Sequence, residues 1–205
     1  MNFYAVNEIF YSLQGEGVRA GTTNVFVRFA GCNLACDMVP SEKSPGGFMC
    51  DTEFSSSVKM STEEIVKRVE TLTGGLACGV IFTGGEPSLQ LDEELVRAVA
   101  ERGYETCIET NGTGAIPEGL DWITVSPKTA EHTIKLESCH EVKYVRQYGQ
   151  GIPRPTVKAV HKIISPAFEP GGILNQRTLE WCIKLVKSHP GWRLSVQQHK
   201  SWGVR

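Results

Sequence analysis

From Asn24 to Glu109 the chain alternates two kinds of segment, and that alternation restricts its fold more than any other feature. Asn24-Val25-Phe26-Val27-Arg28-Phe29-Ala30 is β-branched and aromatic and reads as a strand. A helix is predicted from Ser61, where Ser61 and Glu64 have capping-box spacing and Ile65, Val69 and Leu72 share one face. Gly74-Gly75 ends it. Gly79 to Phe82 is a short buried-type strand, broken by Thr83-Gly84-Gly85-Glu86-Pro87. A second helix is predicted from about Ser88 to Arg102, and a strand from Tyr104 to Glu109. Strands alternating with helices imply right-handed βαβ units and a parallel sheet. Ligands then belong at the carboxyl ends of the strands, where the glycine-rich and polar stretches fall.

Either side of this region the pattern is looser. Tyr4 to Leu13 reads as an extended ribbon. Trp122 to Val125, Glu141 to Val145, Ala159 to Ile164 and Trp192 to Val196 read as strands, and a helix is expected near Asn175. Repeats and breaks in composition are absent, so one domain over residues 1–205 is the economical expectation. The formal net charge is -2, which gives no footprint for nucleic acid or an anionic membrane. No apolar run approaches the roughly 20 residues of a membrane span. The first residues lack a basic stretch of the signal-peptide kind, so a cytoplasmic, reducing compartment is expected.

There are seven cysteines, an awkward number for a disulfide framework. Cys78, Cys107, Cys139 and Cys182 are dispersed and read as small buried hydrophobes. Cys32, Cys36 and Cys50 are grouped, with thirteen residues between the last two. Three thiolates can hold zinc if a fourth ligand comes from elsewhere. They can equally hold three irons of a [4Fe–4S] cluster and leave the fourth iron open. The spacing alone leaves both readings standing.

Other stretches carry a resemblance. Phe10-Tyr11-Ser12-Leu13-Gln14-Gly15-Glu16-Gly17, Phe26-Val27-Arg28-Phe29-Ala30-Gly31-Cys32-Asn33-Leu34, Cys50-Asp51-Thr52, Thr83-Gly84-Gly85-Glu86-Pro87, Glu109-Thr110-Asn111-Gly112, Val125-Ser126-Pro127-Lys128 and Gln198-His199-Lys200 occur in that order. Together they resemble the 7-carboxy-7-deazaguanine synthase family, radical S-adenosylmethionine enzymes of the queuosine (7-deazapurine) pathway. The chain departs from the usual CxxxCxxC loop by a Pro-, Ser- and Gly-rich insert, Asp37 to Phe48. Met49 stands where the family has an aromatic residue beside the adenine.

The resemblance implies an α/β fold, an incomplete (β/α) barrel of the radical S-adenosylmethionine type with an open side. At 205 residues the chain is shorter than the about 250 of a closed eight-unit barrel. It implies a [4Fe–4S] cluster on Cys32, Cys36 and Cys50. S-adenosylmethionine is assigned to Met49, Asp51, Gly84, Gly85, Glu86, Glu109, Asn111, Ser126, Lys128 and Ser165. The pterin substrate, 6-carboxy-5,6,7,8-tetrahydropterin, falls to Leu13, Gln14, Gly15, Arg28, Thr83, His199 and Arg205. Thr52 would hold Mg²⁺. The implied reaction is a radical ring contraction that begins at C6 of the pterin and releases ammonia. An external electron donor such as flavodoxin or ferredoxin, and a homodimer, are further expectations.

Read without the family, several of these residues have plainer roles. Arg28 reads as a strand arginine in a salt bridge, Thr52 as a turn hydroxyl, and Asn111-Gly112 as a turn. Glu86 offers an anionic acceptor for an ammonium group, and the glycines before it let backbone approach a ligand. A glycyl-radical activase and a zinc-binding module are the competing readings.

Overall fold

The structure is a computed structural model that describes residues 2–37, 50 and 52–205. Strands β1 (Phe3–Leu13) and β2 (Thr23–Phe29) form an antiparallel hairpin, and β3 (Val58–Ser61) pairs antiparallel with the start of β1. Helix α1 (Thr62–Thr73) leads to β4 (Gly79–Gly84), and α2 (Glu93–Ala100) to β5 (Glu105–Thr110). Strands β6 (Trp122–Val125), β7 (Ser138–Arg146) and β8 (Lys158–Pro166) follow, joined by loops and one 3₁₀ turn. A small hairpin, β9 (Phe168–Glu169) and β10 (Ile173–Leu174), precedes α3 (Gln176–Ser188), β11 (Trp192–Leu194) and α4 (Gln198–Trp202).

Among the described residues nine strands form one sheet in the order β11-β8-β7-β6-β5-β4-β2-β1-β3. From β2 to β11 every neighbouring pair is parallel. The edges β11 and β3 do not pair with each other among the described residues, so the sheet is a barrel left open on one side. Val25, Val27, Phe29, Val80, Phe82 and Ile108 point outward and bury against α1 and α2. Val125, Val142, Tyr144 and Ile164 do the same near Cys182 of α3. Each fully buried side chain of this kind stabilises the fold by about 1.5–3 kcal/mol. The alternate residues face the hollow. Phe26, Ile81 and Cys107 fill its lower part, with Phe10 stacked on Phe26 at 5.0 Å.

Helix α1 starts as its sequence predicts. Ser61 accepts from the Glu64 amide, and the Glu64 carboxylate accepts from the Ser61 amide at 2.7 Å. Gly74 ends it in the left-handed conformation, φ 60°. The second helix does not begin at Ser88. Pro87–Leu89 forms a 3₁₀ turn capped by Glu86, and Asp92 then caps a fresh helix by accepting from the Leu95 amide at 3.0 Å. Two caps in close succession break what periodicity alone reads as one helix. Strand β3, the β9–β10 hairpin and α4 are too short to leave a periodic signal.

Strand β1 carries a bulge at Asn7. Val6 lies opposite Phe29, while Glu8 lies opposite Arg28, so two residues of β1 advance against one of β2. The extra residue reverses which side chains face inward. Before it, Tyr4 and Val6 pack in the outer core; after it, Phe10 packs in the hollow. The Asn7 side chain, set free by the bulge, donates to Glu53 at 2.6 Å and to the Ser56 carbonyl at 2.9 Å. It thereby ties down the segment that follows Cys50 and Thr52.

The open side is crossed by the chain's last residues. The Gly17 amide donates to Ser195 Oγ at 2.8 Å, and the Gln198 amide to the Gly15 carbonyl at 2.9 Å. Ser12 donates to the Arg205 carbonyl at 2.6 Å. Residues 195–205, which follow one edge strand, are thus fastened along β1 and its turn, near the other edge. Among the described residues no helix is long and apolar enough to cross a membrane.

Candidate active site

A cavity of about 460 Å³ opens at the carboxyl ends of the parallel strands. Cys32, Cys36, Cys50 and Thr52 form one wall. Thr83 to Glu86 from the end of β4, Glu109 to Asn111 from β5, Ser126 and Lys128 after β6, and Ser165 from β8 complete it. These side chains come from six separate stretches of sequence, and the common orientation of parallel strands brings them to one mouth. Met49 and Asp51 lie outside the described residues, as does most of the Asp37–Phe48 insert.

The cysteine loop is held from two directions. The Glu86 amide donates to the Gly31 carbonyl at 2.9 Å, and the Gly31 amide donates to the Phe54 carbonyl at 3.0 Å. Asn33 accepts from the Asn111 side chain at 2.9 Å and donates to Thr113 at 2.8 Å, which joins the loop to the end of β5. Burial pushes the Cys32 and Cys36 thiols up, and the nearby Cys50 adds to this in both. At Cys36 the Lys128 ammonium opposes it. Cys32 and Cys36 lose that penalty when they bind iron as thiolates, because the metal favours the deprotonated form. Among the described residues no three His, Cys, Asp or Glu side chains converge on a point that would hold one ion. A cuboidal cluster does not require that, because each thiolate meets its own iron. The thiol set and the size of the cavity therefore fit a cluster with a cofactor beside it.

Gly84 and Gly85 have a different cause from the one the sequence suggests. A Cβ on Gly85 would lie 2.0 Å from the Gly31 carbonyl oxygen, and one on Gly84 would lie 2.2 Å from the Phe29 carbonyl oxygen. The glycines let the β4 turn close on the cysteine loop, so they set the position of Cys32 before any ligand arrives. Gly85→Ala is expected to push Gly31 and Cys32 away, to cost about 1–3 kcal/mol and to lower bound iron. Iron per chain and thermal unfolding of the variant check this; full iron at parental stability would contradict it.

Glu86 is buried and already well held. It accepts from the Thr110 hydroxyl at 2.5 Å, the Asn111 amide at 2.7 Å and the Ser88 amide at 3.0 Å. Deeper in the hollow, Gln14 donates to Glu109 at 2.7 Å. Glu16 and Lys143, 127 residues apart, form an ion pair at 2.5 Å. Gln197 also donates to Glu16 at 2.8 Å. Burial pushes the Glu16 carboxyl up, but the Lys143 charge and the hydrogen bonds from Lys143 and Gln197 together lower it to about 2. Burial raises Glu141, whose carboxylate accepts from the Val18 amide at 2.7 Å.

The structure gathers most of the sequence-predicted residues into two groups and leaves Leu13, Arg28 and Arg205 outside both. Thr83, Gly84, Gly85, Glu86, Glu109, Asn111, Ser126, Lys128 and Ser165 line the cavity with the cysteines. Gln14, Gly15 and His199 form a second group beside it, joined to the first through Gln14 and Glu109. A Cβ on Gly15 would lie 2.2 Å from His199 Nδ1, so this glycine makes room for the histidine. Leu13 ends β1 opposite Thr23. Arg28 stands beside Thr83, one strand from the cavity wall, and its guanidinium meets Glu8 at 3.2 Å. Arg205 pairs with the same carboxylate. Glu16, Lys143 and Gln197 line the cavity and were not singled out from sequence. A lysine inside Val142-Lys143-Tyr144-Val145 was the available signal, since a buried charge in a strand needs a partner.

Comparison with known proteins shows the family. The Radical SAM superfamily profile matches residues 26–171. A 7-carboxy-7-deazaguanine synthase of Bradyrhizobium diazoefficiens is 40% identical, with 98% of this chain and 99% of that protein covered. One from Bacteroides thetaiotaomicron is 40% identical, with 98% of each chain covered. The chain belongs to the 7-carboxy-7-deazaguanine synthase family of radical S-adenosylmethionine enzymes. Its cluster and S-adenosylmethionine follow from that membership. A crystal structure of QueE from Escherichia coli superposes with a TM-score of 0.69, covering 96% of this chain and 95% of that one. At 23% identity that likeness speaks for the fold, the open-sided barrel of this family.

Proposed function

We propose that this enzyme converts 6-carboxy-5,6,7,8-tetrahydropterin to 7-carboxy-7-deazaguanine and ammonia, with S-adenosylmethionine regenerated and Mg²⁺ required. The carrying observation is that Cys32, Cys36 and Cys50 face one cavity whose other walls are the carboxyl ends of β4, β5, β6 and β8. The names of relatives matching nearly the whole chain support the reaction. The equation balances, because the product is the substrate less one NH₃, with no net oxidation.

When bound, the cluster and S-adenosylmethionine supply a carbon-centred radical that starts the rearrangement. The chain's own task is placement. Glu86, fixed by three donors, accepts from the cofactor's ammonium group. Ser126, Lys128 and Ser165 supply further polar contacts at the cofactor end. Gln14, held by Glu109, and His199, seated against Gly15, hold the pterin edge. Arg28 neutralises the substrate carboxylate. Thr52 offers a hard oxygen to Mg²⁺, with substrate and water completing its shell.

Anaerobic reconstitution, followed by mass-spectrometric detection of 7-carboxy-7-deazaguanine, tests the reaction directly. Absence of product from protein carrying a full cluster would overturn it. Thr52→Ala is expected to keep the cluster and S-adenosylmethionine cleavage and to lose Mg²⁺-stimulated turnover. Stimulation equal to the parent's would mean that the ion binds elsewhere.

A further inference from the structure

Glu8 is the hub of a charged group outside the cavity wall. Its carboxylate takes the Arg28 guanidinium from β2 and the Arg205 guanidinium from the strap that crosses the open side. Both guanidiniums also lie over the Phe10 ring, at 5.6 and 5.2 Å. The group exists because of the bulge at Asn7, which brings Glu8 opposite Arg28 in the register of β1 and β2. Two guanidiniums share this one side-chain carboxylate. Arg28 also retains a buried Nε with no hydrogen-bond partner among the described residues. A buried unpaired donor on a partly neutralised cation is a place for one more anionic acceptor.

We infer that Glu8 is a positioning residue for the substrate carboxylate, holding Arg28 and Arg205 together and thereby coupling closure of the 195–205 strap to pterin binding. The inference rests on the reading of Arg28 as the substrate's counter-ion. Glu8 has no contact with the cavity itself. It fixes the Arg28 guanidinium on the β1 side of β2, while the Arg28 backbone lies beside Thr83, the neighbouring residue on β4 that lines the cavity. It also anchors the strap, which carries His199 and Gln197 to their places against Gly15 and Glu16. Without the Glu8 charge the two guanidiniums repel each other, and Arg205 keeps, among the described residues, the Ser12 bond and its contact with the Phe10 ring.

The test compares Glu8→Gln, Glu8→Asp and Arg28→Lys in reconstituted enzyme, with amide hydrogen exchange of residues 195–205 measured on the protein without pterin. Glu8→Gln is expected to raise the KM for 6-carboxytetrahydropterin about tenfold with kcat within about twofold, as loss of an orienting contact to a binding cation does. It is also expected to speed exchange at residues 198–205. Glu8→Asp, which keeps the charge on a shorter stem, restores part of both effects. A parental KM or parental exchange in Glu8→Gln overturns the coupling. If Arg28→Lys also leaves KM unchanged, the fault lies in the role given to Arg28; if Arg28→Lys alone raises KM, that role stands and only the part of Glu8 falls. Should Glu8→Gln fail to fold, Glu8→Asp decides, with parental values for KM and exchange refuting the inference.

Discussion

Alanine at Cys32, Cys36 or Cys50 is expected to abolish iron binding, whereas alanine at Cys78, Cys107, Cys139 or Cys182 leaves the cluster in place. The two sets differ in surroundings as well as in spacing. Cys32, Cys36 and Cys50 line the cavity, and Cys50 adds to the upward push on the thiols of Cys32 and Cys36. Burial pushes the thiols of Cys107 and Cys139 up to about 12 and that of Cys182 to about 11, so these remain neutral side chains in apolar packing. Removing one of their sulfurs leaves a small void worth about 0.5–3 kcal/mol, felt in stability and not in iron content. Iron and sulfide analysis of the seven variants, with visible absorption spectra, checks the division. Loss of the cluster from a folded Cys78, Cys107, Cys139 or Cys182 variant would break it.

Lys143→Met is expected to be the most destabilising change among the site's charged residues, at about 3–5 kcal/mol, because it strands a partly buried carboxylate. Glu16 is held near 2, despite burial, by the Lys143 charge and the hydrogen bonds from Lys143 and Gln197, against an ordinary value of 4.5. Ionised Glu16 thus contributes stability that is complete above about 4.5 and is lost as pH falls toward 2. Lys143 is raised above its ordinary 10.5 by Glu16 and the nearby Glu109, despite its burial. Its contribution is complete below 10.5 and fades only in strong alkali. In Lys143→Met the acid dependence reverses, since a partly buried Glu16 without its cation is most stable protonated. Urea denaturation at pH 3, 5 and 7 distinguishes the two proteins. The variant should lose the most relative to the parent at pH 7 and the least at pH 3. An equal loss at all three would mean that the pair is not the source of the effect.

The sequence by itself determined the parts that local chemistry encodes. Residues that repeat at helical spacing, a capping box at Ser61 and Glu64, and glycine-rich turns after β-branched runs each act within a few residues. They made the parallel α/β order legible, and with it the carboxyl-end location of the motifs. The grouping of Cys32, Cys36 and Cys50 was legible for the same reason. The tertiary structure decided what depends on partners far along the chain. Gly85 is glycine because of Gly31, and Gly15 because of His199, pairs brought together only when the sheet forms. The break between the 3₁₀ turn at Pro87 and the helix capped by Asp92 was hidden because apolar periodicity runs across it. The bulge at Asn7 leaves no mark on the alternation of β1 that a reader could tell from ordinary irregularity, yet it sends Glu8 to Arg28 and Arg205. Lys143 and Glu16 were unremarkable apart, because a charge in a strand has meaning only once its burial and its counter-ion are known.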